Sequence, residues 1–240
     1  MIFVQNIKIN THHTLLISDG GYLVLEKDNT YNAFLAAANR GYDGIKCDIR
    51  FTKDNYIITS RYRDLKNLTG KKIHVSLNNY QDLLKLPILN DSFTHLSTLN
   101  EFLNLCKKYH KMPIIELRPP IGHNELKQLI NLIQSFKLPT VKIIANDIKY
   151  LKFIRTLNLD INLELISNEY NDQLFLNAIK YRFNLNLPTK FYNQLFVDFC
   201  HENKIKLAAK NINNFIDAQI LIELGIDYIY TYSLEKANDY

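Results

Sequence analysis

The sequence predicts an α/β fold, a closed TIM-type (β/α)8 barrel of parallel strands wrapped in helices, and three observations carry that expectation. Short apolar runs alternate with segments whose apolar residues recur at helical spacing along nearly the whole chain. About eight such runs can be counted, and no Gly- or Pro-rich linker divides the 240 residues. Alternation of this kind builds parallel strands covered by helices. A doubly wound open sheet satisfies the same alternation and stands as the competing architecture. One barrel domain over 1–240 is the expected organisation.

Taken in order, Thr14 to Ser18 reads as a short buried strand and Asp19-Gly20-Gly21 as the loop at its carboxyl end. Asn29 and Thr30 offer side-chain oxygens to the free amides of a helix over 30–40, which Gly41 stops. The next strand, Asp43 to Phe51, is central. Ile45, Cys47 and Ile49 share one face, so Lys46, Asp48 and Arg50 form a polar row on the other. A turn at Lys53-Asp54-Asn55 leads to a strand at Tyr56 to Ser60. From Arg61 to Ser97 the pattern weakens into a long polar excursion with one short helix near Tyr80 to Lys85, a length that signals function or a local subdomain. A helix over Thr98 to Tyr109 follows. Strands at Met112–Leu117, Val141–Ala145, Asn162–Ile166, Phe183–Leu187, Lys206–Ala209 and Tyr228–Thr231 then alternate with helices near 124–136, 148–157, 172–181, 190–202 and 214–224.

Composition narrows the function classes. With 47% hydrophobic and 22% charged residues the chain reads as an ordinary soluble globular protein. The net charge of +5 is scattered among acidic residues and forms no tract, which argues against nucleic acid as partner. The opening, Met1 to Asn10, has neither a basic leader nor a sustained apolar run, and no stretch is long enough to span a bilayer. Three dispersed cysteines, Cys47, Cys106 and Cys200, share no metal-like spacing and fit a reducing compartment, so the cytoplasm is the expected location. Cys47 alternates away from the polar row and reads as core.

Five stretches carry a family resemblance. They are Asp28-Asn29-Thr30, Gly41 to Ile49, Thr52-Lys53-Asp54-Asn55, Ser60-Arg61-Tyr62 and Leu65 to Gly70. Their order and spacing resemble the opening of the glycerophosphodiester phosphodiesterases, which in words runs Glu-Asn-Thr, Gly-Ala-Asp-Gly-Ile-Glu-Leu-Asp-Val, Thr-Lys-Asp-Gly, His-Asp and Leu-Asp-Arg-Thr-Thr-Gly. Later, Leu96 to Leu103, Ile115-Glu116-Leu117-Arg118 and Leu221 to Tyr232 resemble further family segments in the right order. The resemblance implies the barrel over the open sheet.

The spacing is kept and the chemistry is not. In that family two histidines act as general acid and base on a phosphodiester, and a divalent cation held by a Glu-x-Asp pair and a later Glu polarises the phosphate. Carried over, the first histidine falls on Asp19, its neighbouring arginine on Gly20, the second histidine on Arg61 and the aspartate after it on Tyr62. The metal pair becomes Lys46 and Asp48, and the third ligand is Glu116. The basic residue beyond that ligand is Arg118, the acidic residue of Glu-Asn-Thr is Asp28, a late tryptophan is Ala208 and the final aspartate is Tyr232.

An ammonium at Lys46 can compensate Asp48 and Glu116 without a cation and should repel a divalent ion. Arg61 cannot serve as a base, since a guanidinium does not release its proton at usable pH. Three readings stay open: an internal ion pair in a decayed site, an anion pocket in which Lys46, Arg61 and Arg118 hold a phosphate, or hydrolysis with a histidine recruited from elsewhere. The expected function is a catalytically inactive phosphodiesterase-like protein that binds a small phosphodiester or glycerol-phosphate ligand or serves as a noncatalytic partner, as a homo-oligomer or beside another protein. No cofactor is then expected. The alternative is an active phosphoric diester hydrolase of phospholipid or glycerol metabolism, with magnesium or calcium. Among seven histidines, His12 and His13 precede the first strand, His74 and His95 lie in the excursion, where either could fold over the mouth, and His110, His123 and His201 read as helix-end residues.

Overall fold

Eight parallel strands close on themselves, and the pairing that closes them excludes the open sheet. In the computed structural model, which describes residues 8–9, 11–89 and 94–236, the strands in chain order are β1 (Lys8–Ile9), β2 (Leu15–Asp19), β3 (Gly44–Phe51), β4 (Ile57–Thr59), β5 (Met112–Leu117), β6 (Lys142–Ala145), β7 (Asn162–Ile166), β8 (Phe183–Asn186), β9 (Leu207–Ala209), β10 (Tyr228–Thr231) and β11 (Glu235–Lys236). Around the sheet the order runs β2-β10-β9-β8-β7-β6-β5-β3, and β2 pairs β3 in parallel, Ser18 opposite Ile45 and Asp19 opposite Lys46. The antiparallel β4 takes the edge of β3 where β2 leaves it, with Ile49 opposite Thr59. The amino-terminal stretch read as leaderless lies outside the described residues apart from Lys8 and Ile9, which pair with β11 in a two-stranded sheet that the sequence did not announce.

The helices are α1 (Tyr31–Ala38), α2 (Lys66–Thr69), α3 (Tyr80–Leu84), α4 (Leu99–Lys108), α5 (His123–Phe136), α6 (Ile148–Leu157), α7 (Asp172–Tyr181), α8 (Gln194–Glu202) and α9 (Phe215–Glu223). Side chains start most of them. Thr30 accepts from the Ala33 amide, Thr98 and Glu101 form a reciprocal capping box, and Asn171, Asn193 and Asn214 cap α7, α8 and α9. Asn193 also explains why α8 begins at Gln194: a 3-10 turn over Thr189–Phe191 precedes it, so the helix expected from 190 is shorter. Among the described residues, no helix is long and apolar enough to cross a membrane.

Burial follows the alternation. Outward-facing Ile45, Cys47 and Ile49 of β3 pack into the shell between strands and helices, as do Ile115 and Leu117 of β5. Inside the barrel, Ile17, Ile114, Ile144, Ile166, Ala208, Tyr228 and Tyr230 pack together. That interior also holds a fully buried ion pair that reading the strands as plain apolar runs overlooked. Lys142 Nζ lies 2.8 Å from Glu164 Oε2, and Asn186 and Tyr230 donate to the same carboxylate at 2.9 and 3.1 Å.

The excursion is a small subdomain. Beyond the expected short helix it contains α2 and a 3-10 turn over Val75–Leu77, and Ile58, Leu65, Leu68, Val75, Leu83, Ile88 and Leu96 give it a core of its own. An antiparallel bridge between Asp64 and His74 folds it on itself, and the Lys53 amide donating to the Asn78 carbonyl, the Thr59 amide to the Ser97 carbonyl and Arg50 to the Arg61 carbonyl tie it to the barrel.

Candidate functional site

At the carboxyl ends of β2, β3 and β5 the inward-pointing residues of adjacent strands meet. Asp19 is opposite Lys46 across β2 and β3, and Asp48 is opposite Glu116 across β3 and β5, so the register alone brings three carboxylates around one ammonium. This end of a parallel barrel is where loops can reach over the strand tips. Lys46 Nζ lies 2.7 Å from Asp19 Oδ1, 2.8 Å from Glu116 Oε2 and 3.3 Å from Asp48 Oδ2, with its side chain 3% exposed. Burial pulls its pKa down. Asp19, Asp48 and Glu116 outweigh that and hold Lys46 above the ordinary lysine range.

Asp48 is the hub. Its side chain is completely buried, and it receives Arg118 Nε on Oδ1, Arg61 Nε on Oδ2 at 3.3 Å and Asn29 Nδ2 on Oδ2 at 3.0 Å. Burial pushes its pKa up, but Lys46, Arg118 and Arg61 more than reverse this and leave it well below the usual carboxylate range. Arg118 also bridges to Glu116 at 2.9 Å, so one guanidinium spans both carboxylates. Arg61 reaches Asp19 at 3.0 Å and Asp28 at 3.5 Å. Its fork passes over Gly20, where an added Cβ would stand 3.5 Å from Nη2, an ordinary contact, so what calls for glycine there is its φ of +82° and not the arginine. Burial raises Asp28, and Arg61 opposes the rise.

The expected site residues are therefore brought together, in a tighter arrangement than the sequence suggested. Lys46, expected to compensate Asp48 and Glu116 and, with Arg61 and Arg118, to hold a phosphate, is enclosed and engaged by three carboxylates. Arg61 and Arg118 keep 31% and 26% of their side chains exposed and face the mouth. Two contributors were missed in role. Asn29, expected to cap α1, instead accepts from the Asp48 amide at 2.7 Å and donates to the same residue's carboxylate, and Thr30 caps alone. Asp19, read only as a lost histidine, is the nearest partner of Lys46.

A divalent ion between Asp48 and Glu116 would have to share its space with the Lys46 ammonium, and a hard cation does not tolerate that neighbour. Among the described residues, no group of three His, Cys, Asp or Glu side chains is arranged to hold a metal. Of the histidines, His95 bonds Glu101 at 3.0 Å and stacks on Tyr31, while His201 pairs with Asp227 at 2.9 Å. His123 stacks on Phe153 at the start of α5, and His110 ends α4. His74 does lie at the mouth, on a cavity that Arg118 also lines. Ala208 is buried in the barrel interior and Tyr232 is 44% exposed, neither in the cage.

Comparison with known proteins places this geometry. The model of the Glycerophosphoryl diester phosphodiesterase family matches residues 18–236. An uncharacterized protein of Mycoplasma genitalium, MG385, is 29% identical over 136 residues, and its Mycoplasma pneumoniae homolog is 28% identical over 151. These matches cover 54% and 57% of this chain and span 57% and 62% of the two relatives' lengths. Among solved structures, an Oleispira antarctica phosphodiesterase in complex with the product sn-glycerol-3-phosphate aligns with a TM-score of 0.85 at 15% identity, over 92% of this chain and 94% of that one. A Thermotoga maritima glycerophosphodiester phosphodiesterase aligns with a TM-score of 0.76 at 20% identity, over 92% and 96%. At these identities the two structures speak to the fold.

Proposed function

The chain belongs to the glycerophosphoryl diester phosphodiesterase family, and from that premise we propose that it is a catalytically silent member whose barrel mouth binds a phosphate-bearing ligand of the glycerol-phosphate type. The observation that carries the first half is the Lys46 ammonium, within 3.3 Å of three carboxylates where the family's chemistry calls for a divalent ion. Hydrolysing an anionic diester requires charge neutralisation on the phosphoryl oxygens and proton transfer near neutral pH. The positions that would move protons hold Asp19 and Arg61, and both are committed to ion pairs. A guanidinium is no base at any usable pH. The ligand-binding half rests on guanidiniums that keep N–H donors toward the mouth, among them Arg118, which is partly exposed and lines the mouth cavity.

One observation favours the competing reading, a working diester hydrolase with a rearranged site. His74 lies on the mouth cavity beside Arg118, which puts an imidazole next to a ligand bound there. A single assay separates the two. Incubation of the full chain with glycerophosphocholine and added magnesium or calcium is expected to release no glycerol 3-phosphate above the rate without protein. Metal-dependent release that disappears in His74→Ala would establish the hydrolase instead. Calorimetric titration with glycerol 3-phosphate tests binding: a saturable signal lost in Arg118→Ala is expected, and the absence of any signal removes the ligand from the account.

A further inference from the structure

Beside the cage lies a second concentration of positive charge without carboxylates to match it. A cavity of about 290 Å³ opens between the ends of β3 and β5 and the excursion, lined by Arg50, Arg63, His74, Ser76 and Arg118 and by no Asp or Glu. Its size is at the lower end for small-molecule sites, suited to a compact group. The cage has no charge to spare: Lys46, Arg61 and Arg118 face Asp19, Asp28, Asp48 and Glu116. The cavity is the reverse. Arg50 donates only to carbonyl oxygens, those of Arg61 at 2.7 Å, Pro119 at 3.1 Å and Arg118 at 3.5 Å, and its Nε is buried without an acceptor among the described residues. Arg63 makes no ion pair among the described residues and is exposed on the rim.

The crowding has a cost. Burial, with Arg118 and Arg63 beside it, pulls Arg50 down to about 10 against the smaller opposing pull of Asp48 in the cage. Guanidiniums gathered at one small cavity repel each other, and an oxyanion among them removes the repulsion while satisfying several donors at once. The wall draws on two parts of the fold, because Arg50 belongs to β3 and Arg118 follows β5 while Arg63 and His74 belong to the excursion.

We propose that this cavity, and not the Lys46 cage, is the seat of the anion, and that it selects a phosphate monoester dianion over a diester. This rests on the reading of the chain as a ligand-binding barrel and adds the place and the charge class. Arg50 and Arg63 are its fixed cations, Arg118 is the wall shared with the cage, and Ser76 and His74 supply further polar contact. A monoester carries close to two negative charges at neutral pH and a diester one, so a site with two uncompensated guanidiniums discriminates between them.

The test is calorimetric titration of the full chain at neutral pH with glycerol 3-phosphate, inorganic phosphate and glycerophosphocholine, on the wild type, Arg63→Ala and Lys71→Ala. Arg63 and Lys71 are both exposed excursion residues, and Lys71 does not line the cavity, so the pair separates a specific contact from loss of general positive charge. The expected result is glycerol 3-phosphate binding about tenfold tighter than glycerophosphocholine. Arg63→Ala should weaken it roughly ten- to a hundred-fold, and Lys71→Ala less than about threefold. Equal affinity for inorganic phosphate makes the free ion the occupant and weaker affinity makes it the organic ester, and either upholds the seat. Binding that Arg63→Ala leaves unchanged, or a preference for the diester, overturns the seat while leaving the ligand-binding reading intact. No binding of any of the three overturns both.

Discussion

Replacing Lys46 by Met keeps most of the side-chain volume and deletes only the charge, which makes Lys46→Met the sharpest perturbation of the cage. Four carboxylates, Asp19, Asp28, Asp48 and Glu116, would then face two guanidiniums instead of three cations. Removing one partner of a buried ion pair costs about 3–5 kcal/mol, because the survivors stay buried and uncompensated. Lys46 is 3% exposed and Asp48 fully enclosed, so solvent screening does little to reduce that figure. For a chain of this size each kcal/mol moves the melting temperature by about 2–4 °C, so thermal unfolding followed by circular dichroism should show a drop of roughly 6–20 °C at neutral pH. The pH dependence has a definite sign. In the wild type the depressed Asp48 contributes stability above the ordinary carboxylate pKa of about 4, and this is lost as pH falls through the lower folded value. Lys46, raised in the folded state, contributes below its ordinary value of about 10.5 and loses that contribution only in stronger alkali. In the variant an orphaned carboxylate is instead pushed up, which penalises the fold at neutral pH and is relieved by protonation. The gap between the two proteins should therefore narrow toward about pH 4. A melting temperature within about 2 °C of wild type at neutral pH, or a gap that widens on acidification, would refute the cage as an ion-pair network.

Two further substitutions probe the same logic elsewhere. Asn29→Ala removes both the acceptor for the Asp48 amide and a donor to its carboxylate. It should cost about 2–3 kcal/mol in urea unfolding, and a loss under about 0.5 kcal/mol would deny Asn29 its place in the site. In the barrel interior, Lys142→Met alone should cost about 3–5 kcal/mol by stranding Glu164, whereas Lys142→Met with Glu164→Gln should recover much of it. Losses that simply add would show that the two side chains do not act as a pair.

The barrel and the site were legible to different degrees, for physical reasons. Strand alternation fixed the positions of Lys46, Asp48 and Glu116 because a period of two leaves no choice of face once Ile45, Cys47 and Ile49 are buried. What alternation does not carry is register between strands, and register is what sets Asp19 beside Lys46. Asn29 was misjudged because a residue before a helix is ordinarily a cap, and only the path of the loop over β3 redirects its amide to Asp48. The pair Lys142–Glu164 was hidden for a similar reason: each lies in a strand that reads as an apolar run, and only the register of the adjacent strands β6 and β7, Ile144 opposite Glu164, sets the two side chains together in the interior. The Arg50–Arg63 cavity depends on an excursion whose fold has no periodicity to read, since its elements are a four-residue helix, a five-residue helix and a 3-10 turn.

On the proposed reading the Lys46 ammonium occupies the space a divalent ion would need. Calorimetric titration of the wild-type chain with calcium or magnesium up to about 10 mM tests it most directly, since even weak protein sites for these ions saturate below that concentration. No saturable binding is expected in the wild type. A one-to-one site that disappears in Asp48→Asn would contradict it.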